Sequence, residues 1–246
     1  MGLRIVNYVS ISVADLRAEP KFESERLTQM VYGEEVKMLE KGTGYSLVVG
    51  SDGVRGYMKT AVISQGEKKT HKMVRRFRYN EVIIPFGGYV SDLEITRYHI
   101  PKSFVTAKNN YNYKPTALSK RFLGVPYLWG GTSEFGFDCS GLTQRLYRFA
   151  GVELPRNSAW QRDYLKEVKS FSESIPGDLI FFEGHVGIHL GNKKMIHANG
   201  THASVTTTDL SDGSEYSKRL LEIFEKIGRV DFGSTKLGGP LRKIYH

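Results

Sequence analysis

The stretch "FGFDCSGLTQRLYRFAG", Phe135 to Gly151, decides how the chain is to be read. Leu142, Leu146, Phe149 and Ala150 fall at i, i+4, i+7 and i+8, which is one apolar stripe of a helix. The helix is expected to start near Asp138 or Cys139, and Gly151 suits its C-terminal close. Cys139 is the only cysteine in the chain. In the first helical turn, free backbone N–H groups and the positive end of the helix dipole favour a thiolate. Cys139 also lies three residues before Leu142, so it should face whatever the stripe packs on.

Downstream of this helix come three strand-like runs, "GDLIFFEG", "HVGIHLG" and "KMIHANG". A helix followed by an antiparallel sheet is an α+β order. In the middle run, Val186, Ile188 and Leu190 claim one face as core, which leaves His185 and His189 together on the other. His197 lies in the next run. If that run folds back as a hairpin through a three-residue turn, Gly191-Asn192-Lys193, Gly187 comes opposite His197 and His185 lies on the neighbouring diagonal. A helix-N-terminal cysteine near strand histidines fits three readings: a cysteine–histidine nucleophile, a Cys-His-His metal site, or a buried structural cysteine. His71, His99, His202 and His246 read as surface or packing residues.

Composition narrows the class. The 246 residues allow two or three compact domains, and 40% hydrophobic with 25% charged residues is ordinary for a globular chain. One cysteine cannot make an internal disulfide, so nothing staples the fold. No apolar run approaches the ~18 residues of a membrane span. The N-terminus lacks a signal peptide's layout, so a cytoplasmic location is expected, or a secreted or wall-associated one if a leader is removed. The net charge of +9 suits an anionic partner. The densest basic run, "EKKTHKMVRRFR" from Glu67 to Arg78, reads as a solvated face or linker, because no recognition-helix, zinc-finger or stacking pattern accompanies it. Neither nucleic acid nor a membrane is expected as a partner.

The N-terminal half reads as β. In residues 1–64, runs such as "RIVNYVSI", "EEVKMLEK" and "YSLVVGS" are separated by turn signals at Glu19-Pro20, Gly42-Thr43-Gly44 and Asp52-Gly53. "LRAEP" and "DGVRGYM" resemble the loop and turn of a bacterial SH3-like domain, with Tyr57 where tryptophan is commoner. Residues 65–110, with "EVIIPFGGYVSDLE" and "RYHIPKSFVTAKN", look like a second, divergent SH3-like domain. "KNNYNYKP" reads as the linker to a third domain, 111–246, in which "TALSKRFLG" is helix-like and ends at Gly124.

Taken in order, "YLWGGTSEFGFDCSGL", "LPRNSAWQ", "PGDLIFFEGHVGIHLG" and "MIHANG" resemble the successive motifs of the NlpC-type cysteine peptidases of bacterial cell-wall peptides. The resemblance implies an α+β papain-like catalytic domain preceded by two small all-β SH3-like barrels. With those modules in front, the chain looks like a γ-D-glutamyl-L-diamino-acid endopeptidase that cleaves L-Ala-γ-D-Glu-diamino-acid peptides, as in wall-peptide recycling. By position, Cys139 matches the nucleophile, His185 the general base, His197 the residue that orients it, and Tyr127 a tyrosine that helps bind the oxyanion. Asp138, Ser140 and Ser158 match positions that hold the free amine of the substrate. In such enzymes the first SH3-like domain adds an acid and a tyrosine, for which Glu25 and Tyr57 are the candidates. No metal or organic cofactor is implied, and a monomer is expected. The rival readings are a secreted wall-lytic endopeptidase and an inactive wall-binding protein.

Overall fold

The computed structural model describes residues 5–232. They form two compact units, divided between Asn110 and Tyr111.

In the first unit, strands β2 (Val13–Arg17), β3 (Arg26–Val31), β4 (Lys37–Glu40), β5 (Tyr45–Val49) and β6 (Arg55–Lys59) make a five-stranded sheet in the order β3-β2-β6-β5-β4. β1 (Ile5–Val9) pairs antiparallel with β7 (Ile63–Glu67). Alternate residues turn inward, so Ala14, Leu16, Met30, Val48 and Met58 meet in one core with Val9, Val36 and Val54. Past residue 67 the chain makes a three-stranded sheet of β11 (Tyr89–Val90), β8 (His71–Met73) and β12 (Val105–Ala107), together with a hairpin of β9 (Phe77–Tyr79) and β10 (Val82–Ile84).

The end of the strand-like run "EVIIPFGGYVSDLE" instead opens helix α1 (Asp92–Arg97). Its start is a capping box: the Ser91 hydroxyl accepts from the Glu94 N–H, and Glu94 accepts from the Ser91 N–H. The basic run is not simply a solvated face either. Lys69 and Lys72 are buried. Lys69 pairs with Glu94 at 2.7 Å and lies over the Tyr8 ring. Burial pulls the Lys72 ammonium down to about 8.

In the second unit a short hairpin of β13 (Thr132–Ser133) and β14 (Gly136–Phe137) leads into α3 (Cys139–Phe149), which lies against a six-stranded antiparallel sheet. The sheet order is β15 (Lys166–Val168), β20 (Phe224–Arg229), β16 (Leu179–Phe182), β17 (His185–Gly191), β18 (Lys194–Asn199) and β19 (Ser204–Asp209). α3 packs on β17 and β18. Leu142, Leu146, Val186, Ile188 and Ile196 are all fully buried. The opposite face of the sheet carries Ile180, Phe182 and Met195, which are covered by Leu210 and by Leu220 of α5 (Glu215–Glu222). The sheet is therefore buried on both sides, which explains why β16, LIFF, is apolar throughout. "TALSKRFLG" forms a shorter helix than its pattern suggests, α2 (Pro115–Ser119), followed by one 3₁₀ turn.

Candidate active site

Asp138 builds the start of α3. It is the N-cap, and its carboxylate accepts from the Gly141 N–H at 2.6 Å and the Gly130 N–H at 2.9 Å. Gly141 has a steric reason as well. A Cβ there would lie 2.0 Å from the Gly131 carbonyl oxygen, so only glycine lets the loop close over the helix end. Cys139 is thereby held in the first turn, 7% exposed. The backbone N–H groups of Val186 and Ser140 donate to its sulfur. Because Val186 follows His185, the thiol lies beside the start of β17.

His185 and His197 come together. His185 Nε2 and His197 Nδ1 are 2.6 Å apart, and His197 Nε2 is 2.9 Å from Thr208 Oγ1. The hairpin that aligns them differs in detail from the sequence expectation. Gly191 pairs with Lys194, so the turn has two residues, Asn192 and Lys193, both with positive φ. A register shift between His189 and Gly191 offsets the shorter turn. Ile188 then faces Ile196, and the same register carries Gly187 opposite His197. A Cβ on Gly187 would lie 2.7 Å from Met195 Sδ, so the bare backbone makes room for the Met195 side chain beside the histidines. His189 lies on the same face but deeper; its Nδ1 is 3.2 Å from the Ile175 carbonyl, and its ring packs on Phe171.

Electrostatics correct one expectation. The helix N-terminus and the two N–H donors favour a thiolate, but burial and the Asp138 charge outweigh them and push the Cys139 thiol up to about 12. Burial also pulls His185 down to about 4 and His197 well below the usual imidazole range. Burial therefore works against a resting thiolate–imidazolium pair and favours the neutral thiol and imidazole. Tyr127 is pushed up to about 12 by burial and then by Cys139 and Asp138, so it stays a hydroxyl donor close to the sulfur.

These histidines give stability a definite pH dependence. In the unfolded chain an imidazole takes up its proton near pH 6.5. In the folded chain His185 and His197 do so only far lower. Stability is thus complete above about pH 6.5 and falls as the pH drops toward 4, because the unfolded state binds the extra protons. Each imidazole costs up to about 1.4 kcal/mol per pH unit in that window. Thermal unfolding is expected to show Tm falling between pH 6.5 and 5, less steeply in His185→Gln. A profile equally steep in wild type and variant would contradict this.

The expected amine-binding residues are placed unequally. Asp138 and Ser140 adjoin Cys139, but a cation already meets them. Arg156 Nη1 donates to Asp138 Oδ1 and to Ser140 Oγ, each at 3.0 Å, and Nη2 donates to Asp138 Oδ2 at 2.5 Å. Ser158 opens α4 (Ser158–Tyr164), which Gln161 ties to α3 by donating to the Ser140 carbonyl at 3.1 Å and accepting from Thr143 at 2.8 Å. Glu25 and Tyr57 belong to the first unit, where Glu25 is exposed and Tyr57 lies on β6 opposite Arg17. Sequence reasoning missed Arg156, Gln161 and Thr208. The first two stand inside "LPRNSAWQ", a motif quoted above for other residues.

For a metal, the histidines are poorly arranged. Two nitrogens hydrogen-bonded to each other at 2.6 Å do not turn lone pairs toward one ion. Among the described residues, no group of three His, Cys, Asp or Glu could hold one, and no helix is long and apolar enough to cross a membrane.

A buried helix-N-terminal cysteine beside a hydrogen-bonded histidine pair defines a cysteine-peptidase type of centre. The chain carries an NlpC/P60 domain, a cysteine peptidase family, and a bacterial SH3 domain: the two family models match residues 124–225 and 12–64. Among curated relatives, the chain is 39% identical over 110 residues to the gamma-D-glutamyl-L-lysine dipeptidyl-peptidase of Bacillus subtilis, covering 42% of this chain and 36% of that protein. It is 36% identical over 123 residues to the bifunctional muramidase/DL-endopeptidase CwlT of the same organism, covering 46% and 36%. The chain thus spans about a third of the length of these relatives. In fold it is similar to the crystal structure of an NlpC/P60 family protein from Bacillus cereus, with TM-score 0.72 and 19% identity, over 92% of this chain and 99% of that one.

Proposed function

We propose that the chain is a cysteine endopeptidase that hydrolyses the γ-D-Glu–L-diamino-acid bond of murein peptides. The observation that carries this reading is the hydrogen-bonded His185–His197 pair set beside a buried cysteine at a helix N-terminus. The curated relative named as a gamma-D-glutamyl-L-lysine dipeptidyl-peptidase supports the bond and the substrate class. We further propose residues 65–110 as a divergent SH3-like module.

The chemistry starts from the neutral pair that burial favours. As Sγ attacks the γ-carbonyl carbon, its proton passes to His185. The oxyanion takes donors from the Cys139 backbone N–H and the Tyr127 hydroxyl. The C–N bond then breaks, and the His185 proton goes to the departing amine of the diamino acid. Water, deprotonated by His185, attacks the thioester. The product is L-Ala-D-Glu with a free γ-carboxylate, and the thiol is regained.

Selection for a free substrate N-terminus is expected to be modest at Asp138. An unpaired buried carboxylate would punish a blocked amine severely, but Arg156 already neutralises this one. Acetylating L-Ala-γ-D-Glu-diaminopimelate should lower kcat/KM by about tenfold, the loss of one charge-assisted hydrogen bond. Rates on the free peptide, its acetylated form and whole peptidoglycan test the reading. Turnover that falls in that order supports a recycling role, whereas whole peptidoglycan as the best substrate favours a wall-lytic enzyme.

A further inference from the structure

We propose that Thr208 is a positioning residue: its hydroxyl, by accepting the Nε2–H of His197, supports the tautomer that leaves His197 Nδ1 bare and so keeps Nδ1 of His185 free to receive the thiol proton. The inference rests on the nucleophile assignment made above.

The argument is one of proton counting. To act as a base toward Cys139, His185 must hold its own proton on the other nitrogen, Nε2. That N–H points at His197 Nδ1, 2.6 Å away. His197 must therefore present Nδ1 bare and carry its proton on Nε2. A carboxylate in this position would accept without condition. A histidine accepts at one nitrogen only if its other N–H has somewhere to go. Here Thr208 Oγ1 lies 2.9 Å from Nε2 and has a lone pair to accept that N–H. His197 is fully buried and Thr208 is buried, so water does not readily substitute.

Without the hydroxyl, a protonated Nε2 would be an orphaned buried donor. The cheaper arrangement moves the proton to Nδ1. His197 then donates to His185 Nε2, the proton of His185 is driven to Nδ1, and the base is blocked. The strand offers an internal control. Thr206 lies directly opposite His197 on β19, and its buried hydroxyl has no hydrogen-bond partner.

Two measurements test this. Nitrogen NMR of the ¹⁵N-histidine-labelled chain should find His197 protonated at Nε2 and bare at Nδ1. The reverse tautomer would overturn the proposal. Alkylation of Cys139 by iodoacetamide needs the same proton transfer but no wall peptide, so it stands apart from the substrate reading. Thr208→Val should slow alkylation by about tenfold or more, the scale of losing one buried hydrogen bond. Thr208→Ser should stay within about threefold of wild type, and Thr206→Val should not change it. A wild-type rate in folded Thr208→Val, or equal slowing in Thr208→Val and Thr208→Ser, would overturn it. A wild-type thiol that resists iodoacetamide would count against the nucleophile assignment, while the nitrogen spectrum would still decide the tautomer.

Discussion

Cys139→Ser is expected to lower kcat on L-Ala-γ-D-Glu-diaminopimelate by about 10⁴-fold or more, the scale on which removing a nucleophile acts. The reason lies in the proton, since the two side chains are close in size. Burial already holds the thiol up to about 12 and His185 down to about 4, so even the cysteine gives up its proton only as the S–C bond forms. A serine hydroxyl is a much weaker acid and a poorer nucleophile at the same place. The fold should not notice. The helix start is fixed by Asp138, and the N–H donors of Val186 and Ser140 can serve a hydroxyl oxygen as well. The check is kcat together with Tm. A folded variant that keeps more than about 1% of activity would remove Cys139 from the chemistry.

Arg156→Met should be the most damaging single change to stability in the second unit. Arg156 is 2% exposed, and its guanidinium donates twice to Asp138 and once to Ser140. Its loss leaves the Asp138 carboxylate buried with its backbone donors and no counter-charge. Breaking such a pair costs about 3–5 kcal/mol. At about 2–4 °C per kcal/mol for a chain of this size, the unit's Tm should fall by roughly 6 °C or more. The double variant Asp138→Asn/Arg156→Met should recover part of that loss, because it leaves no uncompensated charge. Arg156 also lowers the Cys139 thiol pKa, so the single variant should turn over more slowly even where it remains folded. Denaturation of wild type, both single variants and the double closes the cycle. A single variant within about 1 kcal/mol of wild type would show that the pair does not hold the helix start.

What the sequence disclosed was what depends on near neighbours. The apolar stripe of α3, its Asp138 cap and the glycine after it are local, and all stand where the pattern puts them. Strand alternation put His185 on the face where His197 meets it. The turn was less legible, because a two-residue turn with a bulge and a three-residue turn bring the same residues face to face. α1 was missed although its capping signal, Ser91 followed by Glu94, was present; the surrounding β-branched and aromatic residues outweighed it. Arg156, Gln161 and Thr208 were out of reach for another reason. Each acts on a partner 11 to 21 residues away in the sequence, with no periodicity to announce it. The buried Lys69 is the same case, since only the folded unit brings Glu94 to it.

The most direct measurement is mass spectrometry of L-Ala-γ-D-Glu-diaminopimelate, and of its lysine counterpart, after incubation with the wild-type chain and with Cys139→Ser. The account predicts L-Ala-D-Glu bearing a free γ-carboxylate, together with the released diamino acid, from the wild type alone. Intact peptides in every tube, scission at the L-Ala–D-Glu bond, or equal product from Cys139→Ser would contradict it.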